Sequence, residues 1–202
     1  MTAQTKTVSV VEEDRLRADL YNFLGVLLAR PADQMLLAQT AELSGDESPL
    51  GQAISGLARV AKVSKPKAVI REFNALFIGL GRGELLPYAS YYLTGFLNEK
   101  PLAKLRQDMA ALSVTRANNV FEPEDSIASL METMGGLIVG RFGSLVPLER
   151  QRTFFQNHIA LWAPHFFSDL ESAKTSVFYA SVGAVGREFM TIEKEAFRMT
   201  VE

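Results

Sequence analysis

Hydrophobic residues recur at helical spacing along most of the chain. In the first stretch the apolar positions fall three or four residues apart, at Leu16, Leu20, Phe23, Leu24, Leu27 and Leu28. Glu12, Glu13 and Asp14 precede them, where the positive end of a helix dipole favours carboxylates. A second helix is predicted to begin at Pro31, a residue favoured in the first helical turn, and to stay apolar through Leu43.

Proline and glycine divide the rest of the chain into further helices. Residues 44–49 have the composition of a loop, and a short helix is predicted over residues 50–63. More apolar faces at helical spacing begin after Pro66, Pro101, Pro123 and Pro147, with a break near Pro164, and a last one runs from Phe178 to Ile192. The segment from residue 85 to residue 96 is rich in aromatic side chains and is predicted to be only partly helical.

The predicted fold is all-α, a single globular bundle of about eight to ten helices. Leu and Ala total 48 residues, whereas Val and Ile total 22, which favours helix over strand. No segment alternates apolar and polar residues as a strand would, and no internal repeat is visible. We expect residues 1–11 to form a disordered tail and residues 12–202 to form one helical domain.

Composition excludes several classes of protein. The chain has no cysteine and only two histidines, which excludes thiolate zinc sites, iron–sulfur clusters, disulfides and cysteine nucleophiles. Lys and Arg total 21 against 23 for Asp and Glu, so no basic excess indicates nucleic acid. No apolar run is long enough for a secretory signal or a membrane span. We therefore expect a cytoplasmic protein that is not an enzyme, has no cofactor and does not insert into membranes.

Three local patterns are each open to a functional and a structural interpretation. The run Gly79-Leu80-Gly81-Arg82-Gly83 follows a helix and not a strand, so a helix end is favoured over a phosphate-binding loop. His158 and His165 lie seven residues apart without a known metal motif, so packing or partner contact is favoured for His158. A basic cluster suits an acidic partner or nucleic acid, although a solvated helix face is favoured; it comprises Arg59, Lys62, Lys65, Lys67 and Arg71.

Two patterns suit peptide recognition. Glu122-Pro123-Glu124-Asp125 is predicted to place exposed carboxylates at the start of a helix, where the dipole stabilises them and where they can accept hydrogen bonds from arginine. Pro87-Tyr88-Ala89-Ser90-Tyr91-Tyr92 places three tyrosines within five residues. Such a cluster offers an amphipathic contact surface, although ordinary core packing fits the spacing equally well.

Taken together, several blocks resemble the TorD/DmsD family of molybdoenzyme chaperones, to which the NarJ type is related. The blocks occur in the family's order: Asp19 to Leu24, Glu72 to Gly79, Pro87 to Tyr92, Glu122 to Ile127, and Phe154 to Trp162. The third resembles the family's Pro-Tyr-x-Ser element and the fourth its Glu-Pro-x-Asp-His motif. Ser126 stands where that motif has histidine, and serine can neither titrate nor carry a positive charge.

The resemblance implies an all-helical chaperone without catalysis. Such a protein binds an apo molybdoenzyme catalytic subunit, often through its twin-arginine signal peptide, until the cofactor is inserted. The expected client is of the formate dehydrogenase or S-/N-oxide reductase type, nitrate reductase remaining possible, and the chaperone would be a monomer or a domain-swapped dimer. The candidate binding residues are Tyr21, Pro87, Tyr88, Ser90, Tyr91, Glu122, Pro123, Glu124, Asp125, Ser126, His158 and Trp162.

Two other hypotheses are weighed beside the chaperone. A helical transcriptional regulator would need a basic recognition helix in its first sixty residues, but acidic residues occupy the first helix. A carboxylate-based hydrolase built on Glu122, Glu124 or Asp125 lacks a metal shell and a nucleophile–base pair in the sequence.

Overall fold

The computed structural model describes residues 10–199, which form ten α-helices and one π-helical turn. The helices are α1 (Glu12–Ala29), α2 (Gln34–Ala41), α3 (Pro49–Val63), α4 (Pro66–Phe73), α5 (Ala89–Thr94), α6 (Lys100–Ala111), α7 (Ile127–Val139), α8 (Leu148–His158), α9 (Ala163–Ser172) and α10 (Phe178–Met199). The π turn, Asn74–Ile78, directly continues α4. This confirms the all-α prediction. Most of the tail predicted over residues 1–11 lies outside the described residues.

The starts of two helices depend on capping side chains that the apolar pattern does not reveal. The helix predicted to begin at Pro31 begins instead at Gln34, because the Asp33 carboxylate accepts a hydrogen bond from the Leu36 backbone N–H. Similarly, the helix predicted to begin at Pro123 begins at Ile127, behind the N-cap Ser126. The predicted break near Pro164 is confirmed, since α8 ends at His158 and α9 starts at Ala163.

Helices α1 and α7 pack together closely through small residues. A Cβ atom at Gly25 of α1 would lie 3.3 Å from the Ala128 carbonyl oxygen of α7 and 2.9 Å from Cγ of Glu132. A Cβ atom at Gly135 of α7 would lie 2.7 Å from Oδ1 of Asn22. A larger residue at Gly25 would displace the Glu132 side chain and crowd the backbone of α7, and one at Gly135 would displace the Asn22 side chain.

The core is continuous across the bundle and strongly aromatic. Its largest fully buried side chains include Trp162, Tyr179, Phe155, Phe166 and Phe178, all from α8 to α10 and the connection between α8 and α9. Helix α10 packs on α9 and α3, which connects the last helix to the first third of the described chain. No helix within residues 10–199 combines the length and the apolar character needed to cross a membrane.

One charged network lies inside this core. The Glu193 carboxylate of α10 is buried and accepts hydrogen bonds at 2.8 Å from Nε and Nη2 of Arg17 and at 2.9 Å from the Tyr21 hydroxyl. Arg17 also donates to Asp14 at 2.8 Å. Arg17 pairs with both carboxylates of this network, so the network joins α1 to α10 and leaves none of its charges without a partner.

Candidate functional site

Two of the sequence motifs form a single structural unit. The segments before α5 and α7 run antiparallel, with Tyr88 opposite Ser126. The Ala89 N–H donates to the Asp125 carbonyl oxygen at 2.9 Å, and the Ile127 N–H donates to the Pro87 carbonyl oxygen at 2.8 Å. The two helix starts are therefore fixed to each other.

The Asp125 carboxylate completes this unit. One oxygen accepts hydrogen bonds from the backbone N–H of Ser90, at 2.9 Å, and from the Ser90 hydroxyl. Asp125 thus supplies the side-chain acceptor that the first turn of α5 lacks locally. Only 1% of Asp125 is exposed, so the expectation of an exposed carboxylate at a helix start is wrong for this residue. Asp125 therefore connects the segment before α7 to the start of α5.

Ser126 has a comparable structural role at the next helix. Its hydroxyl oxygen accepts a hydrogen bond from the Ser129 N–H at 3.2 Å and so caps the N-terminus of α7. Ser126 is also buried. The Ser126 N–H donates a hydrogen bond to the Pro123 carbonyl oxygen at 3.1 Å, and this bond closes the tight turn before the cap.

Glu124 is already bound by arginines of this chain. Nε and Nη2 of Arg106 donate to one of its carboxylate oxygens at 3.0 and 2.8 Å, and Nε of Arg116 lies 3.7 Å from the other. Burial raises the pKa of Glu124, but the hydrogen bond and positive charge of Arg106, together with the charge of Arg116, outweigh burial and hold the pKa below its ordinary value. Glu124 is therefore ionised and already paired.

Glu122 and Glu132 are different, because neither pairs with a cation among residues 10–199. Both are exposed. Glu122 accepts a hydrogen bond from the Tyr88 hydroxyl. Burial and then the Glu122 carboxylate raise the pKa of Tyr88, so the hydroxyl remains a donor at neutral pH. Glu132 is the one charged residue in α7, and its Cγ atom lies over Gly25 of α1.

These two carboxylates border an apolar cleft of about 340 Å³, which we call the acidic cleft. Its apolar wall is formed by Leu28, Phe73, Phe77, Ile78, Pro87, Val120, Ile127 and Ala128, and its polar rim by Tyr88, Glu122, Ser126, Ser129 and Glu132. Ile78 and Val120 expose their side chains at the rim. The arrangement offers anionic acceptors directly beside an uncharged apolar surface.

A smaller cleft of about 200 Å³ adjoins it and shares Val120, Ser129 and Glu132. This second cleft carries Arg116 and Arg141, but neither is paired with Glu132. Arg116 approaches Glu124, and Arg141 donates to Oδ1 of Asn22 at 3.0 Å.

The π turn after α4 shapes one wall of the acidic cleft. The Gly79 N–H donates to the Asn74 carbonyl oxygen at 2.7 Å, which is a π-helical bond, and Gly79 has a positive φ of 61°. A Cβ atom at Gly79 would lie 1.9 Å from the Arg82 carbonyl oxygen, so glycine is required there. The glycine run therefore ends the helix, as predicted, and returns the chain towards Tyr88.

The remaining sequence candidates lie outside the acidic cleft. Tyr21 is buried against Glu193. Trp162 is buried and donates through Nε1 to the His158 carbonyl oxygen at 2.8 Å. Tyr91 faces the glycine run, where the Arg82 guanidinium lies 5.1 Å from the centre of its ring.

His158 is held by packing and a hydrogen bond. Its Nε2 atom lies 2.7 Å from Oδ2 of Asp108, and its ring packs beside Phe154. Burial lowers the pKa of His158, a change that the neighbouring Asp108 carboxylate opposes. Residues 10–199 contain no group of three or more His, Asp or Glu side chains suited to a metal ion.

Sequence reasoning missed several residues that line the acidic cleft, above all Glu132, Ile78 and Val120. A signal existed for Glu132, since it interrupts an otherwise uncharged helix. Phe73 and Phe77 belong to one of the blocks that carried the family resemblance, but nothing in their spacing indicated a cleft.

Comparison with known protein families shows a match over more than half of the chain. Residues 44–168 match the model described as "Nitrate reductase delta subunit". Among curated proteins, the chain is 26% identical over 198 residues to "Chaperone protein TorD" of Vibrio cholerae, covering 88% of this chain and 90% of the relative. It is 28% identical over 132 residues to the protein of that name from Vibrio atlanticus, and there the alignment spans only 61% of either chain.

A similar fold is found among solved structures. The crystal structure of a proposed redox enzyme maturation protein from Archaeoglobus fulgidus superposes with a TM-score of 0.56 at 21% identity, covering 87% of this chain and 94% of that chain. At this level of identity the similarity concerns the fold alone.

Proposed function

The chain belongs to the nitrate reductase delta subunit family, and from this we propose that it is a maturation chaperone for a molybdenum-cofactor oxidoreductase. Curated relatives carry the name "Chaperone protein TorD", consistent with the resemblance to TorD/DmsD chaperones and with a binding role in place of catalysis. No comparison supports the helical transcriptional regulator.

The chaperone would bind the apo catalytic subunit in the cytoplasm, through its twin-arginine signal peptide or N-terminus. One observation carries this proposal: Glu122 and Glu132 border an apolar cleft and pair with no cation among residues 10–199. A guanidinium group forms paired, charge-assisted hydrogen bonds with a carboxylate. Two adjacent arginines followed by an apolar segment would therefore match both the rim and the wall of the cleft.

Within this proposal the candidate residues have different roles. Glu122 and Glu132 accept the arginines, whereas Tyr88 orients Glu122. Asp125, Ser126, Ser90 and Pro87 hold the two helix starts in place. Glu124 is already bound by Arg106 and does not bind the client.

Calorimetry with a synthetic peptide tests the binding site. The probe carries Arg-Arg followed by a segment of Leu and Ala, and its control carries Lys-Lys. We expect the double variant Glu122→Gln/Glu132→Gln to bind the Arg-Arg peptide at least about tenfold more weakly, and the Lys-Lys peptide to bind the unchanged protein more weakly than Arg-Arg. Glu149→Gln removes an exposed carboxylate on α8 and should leave affinity unchanged. Equal affinity of the double variant and the unchanged protein would remove the acidic cleft from the proposal.

Affinity capture from the native host tests the chaperone role itself. We expect recovery of the cofactor-free catalytic subunit of a molybdoenzyme, of the formate dehydrogenase or S-/N-oxide reductase type. Recovery of the cofactor-loaded enzyme alone would contradict the role, because a maturation chaperone acts before insertion. Size measurement of the same sample distinguishes a monomer from a dimer that exchanges helices at the glycine run.

A further inference from the structure

A separate cleft lies on the other side of α4 and is bordered by basic residues. It is bounded by the end of α3, by α4 and by the segment before α10, and its volume is about 650 Å³. Its apolar lining includes Val60, Val63, Ala68, Val69 and Val177, with Lys65 and Arg71 at its edge. We call it the basic groove.

The basic groove lies within the most basic part of the chain. From Pro49 to Arg71 the sequence has five basic residues and no acidic one. All five are exposed, and none has a hydrogen bond or ion pair with a carboxylate among residues 10–199. Lys67 and Arg71 lie one turn apart on α4, a spacing at which like charges repel.

The one carboxylate lining the basic groove already accepts hydrogen bonds from the backbone. The Glu72 side chain accepts hydrogen bonds from the backbone N–H groups of Val177, Phe178 and Tyr179 at 2.7, 3.1 and 2.7 Å. These groups form the N-terminus of α10, whose dipole stabilises the carboxylate there. Glu72 therefore fixes the far wall of the groove and does not pair with Lys65 or Arg71.

The basic groove also exposes aliphatic side chains to solvent, which is not expected of a purely solvated helix face. Val63 is 78% exposed and Val177 is 69% exposed, on opposite walls. Phe178 also lines the groove but is only 1% exposed, so its ring is not presented for stacking on a nucleic acid base. Exposed valines beside Lys65 and Arg71, which pair with no carboxylate among residues 10–199, are complementary to a segment that carries both aliphatic groups and carboxylates.

From this geometry we propose that the basic groove binds an acidic amphipathic segment of a partner protein. Aliphatic side chains of that segment lie between Val63 and Val177, and its carboxylates pair with Lys65 and Arg71. The proposal does not depend on the acidic cleft, which is lined by Phe73 and Phe77 across the same helix and π turn.

Fluorescence anisotropy with the full chain tests the proposal. The probe is a labelled helical peptide with Glu on one face and Leu on the other; a second peptide replaces each Leu with Ser. We expect the Glu/Leu peptide to bind, and Lys65→Glu/Arg71→Glu to weaken it at least about tenfold. Val177→Ser should weaken it about threefold, since only one small aliphatic contact is lost.

A control double variant with the same change in net charge tests whether binding depends on the groove residues or only on the overall charge of the protein. Arg15→Glu/Lys194→Glu reverses one exposed arginine and one exposed lysine on α1 and α10 and should leave affinity within about twofold, while circular dichroism verifies that both double variants fold. The proposal is overturned if the Glu/Ser peptide binds as tightly as the Glu/Leu peptide, or if the control variant loses as much affinity. It is also overturned if a single-stranded oligonucleotide or an anionic phosphatidylglycerol vesicle binds the groove more tightly than the peptide.

Discussion

The carboxylate of Asp125 binds both the backbone N–H and the hydroxyl of Ser90, a residue 35 positions earlier in the chain. One buried acidic side chain therefore caps a helix to which it does not belong. Together with the two backbone hydrogen bonds between the same segments, it keeps Tyr88 and Glu122 on the same side of the acidic cleft. The carboxylate that resembles a ligand-binding group in the sequence thus positions the groups that border the site.

Asp125→Ala should lower the free energy of unfolding by about 1–3 kcal/mol, because it leaves the N–H and hydroxyl of Ser90 without an acceptor in a buried place. Asp125→Asn keeps one carbonyl oxygen and should cost less. Urea unfolding of the two variants measures the difference. Unchanged stability of Asp125→Ala would mean that the buried contact does not hold the two segments together.

Ser126 should behave as a helix cap and not as a binding residue. Ser126→Ala is expected to cost about 0.5–2 kcal/mol of stability, since the Ser129 N–H loses its acceptor. Ser126→His introduces the residue found at this place in the family motif, and it should cost at least as much, because the larger ring must fit a buried cap. Thermal unfolding compares the two variants. A stabilising Ser126→His would show that the position retains a site for imidazole.

The helical fold could be predicted from the sequence because its signals are local. The loop composition of residues 44–49 placed the start of α3 within one residue of Pro49, and Pro164 marked the break between α8 and α9. The predicted starts of two helices were wrong, because a proline alone does not fix the first residue of a helix. Pro31 and Pro123 are typical of a first turn, but the caps that decide the matter are Asp33 and Ser126.

The candidate site could be predicted only in part, because its geometry depends on distant contacts. An acidic run before a helix has the same pattern whether a carboxylate borders a cleft with no cation partner among residues 10–199, as for Glu122, or is bound by a distant part of the chain, as for Glu124 and Asp125. The partners that distinguish these cases, Arg106 and Ser90, are remote in sequence. Likewise, the sequence alone does not distinguish the basic cluster from a solvated helix face. The distinction depends on the segment before α10, which forms the opposite wall of the basic groove.

The pairing of Glu124 with Arg106 should make stability depend on pH in acid. Since the folded pKa lies below the ordinary value of 4.5, the contribution is fully present above that pH and is lost as the pH falls through the folded pKa. Arg106→Gln should reduce this loss and cost about 0.2–1 kcal/mol at neutral pH, because Arg106 is exposed. Urea unfolding at several pH values measures both effects. Arg30→Gln, which changes an exposed arginine without an ion pair among the described residues, should leave the acid profile unchanged.

Tyr21 should affect stability without affecting peptide binding. Tyr21→Phe removes the hydrogen bond to buried Glu193 and should cost about 1–3 kcal/mol, while Arg17 continues to neutralise the carboxylate. Tyr21 does not line the acidic cleft, so calorimetry with the Arg-Arg peptide should give the unchanged affinity below the unfolding temperature. A folded Tyr21→Phe protein with weakened peptide binding would place Tyr21 in the binding site after all.

Ile78 should show the opposite behaviour and so test the apolar wall of the acidic cleft. Its side chain is 60% exposed at the end of the π turn, so Ile78→Ser should change the free energy of unfolding by less than about 0.5 kcal/mol. If the apolar segment of the peptide covers this side chain, the substitution removes about 1–2 kcal/mol of binding, or roughly five- to thirtyfold in affinity. Ile192→Ser provides the matched control, because Ile192 is 47% exposed on α10 and lines neither cleft. Equal affinities for the two variants would mean that the peptide contacts the acidic rim alone, and the apolar wall would then have no part in recognition.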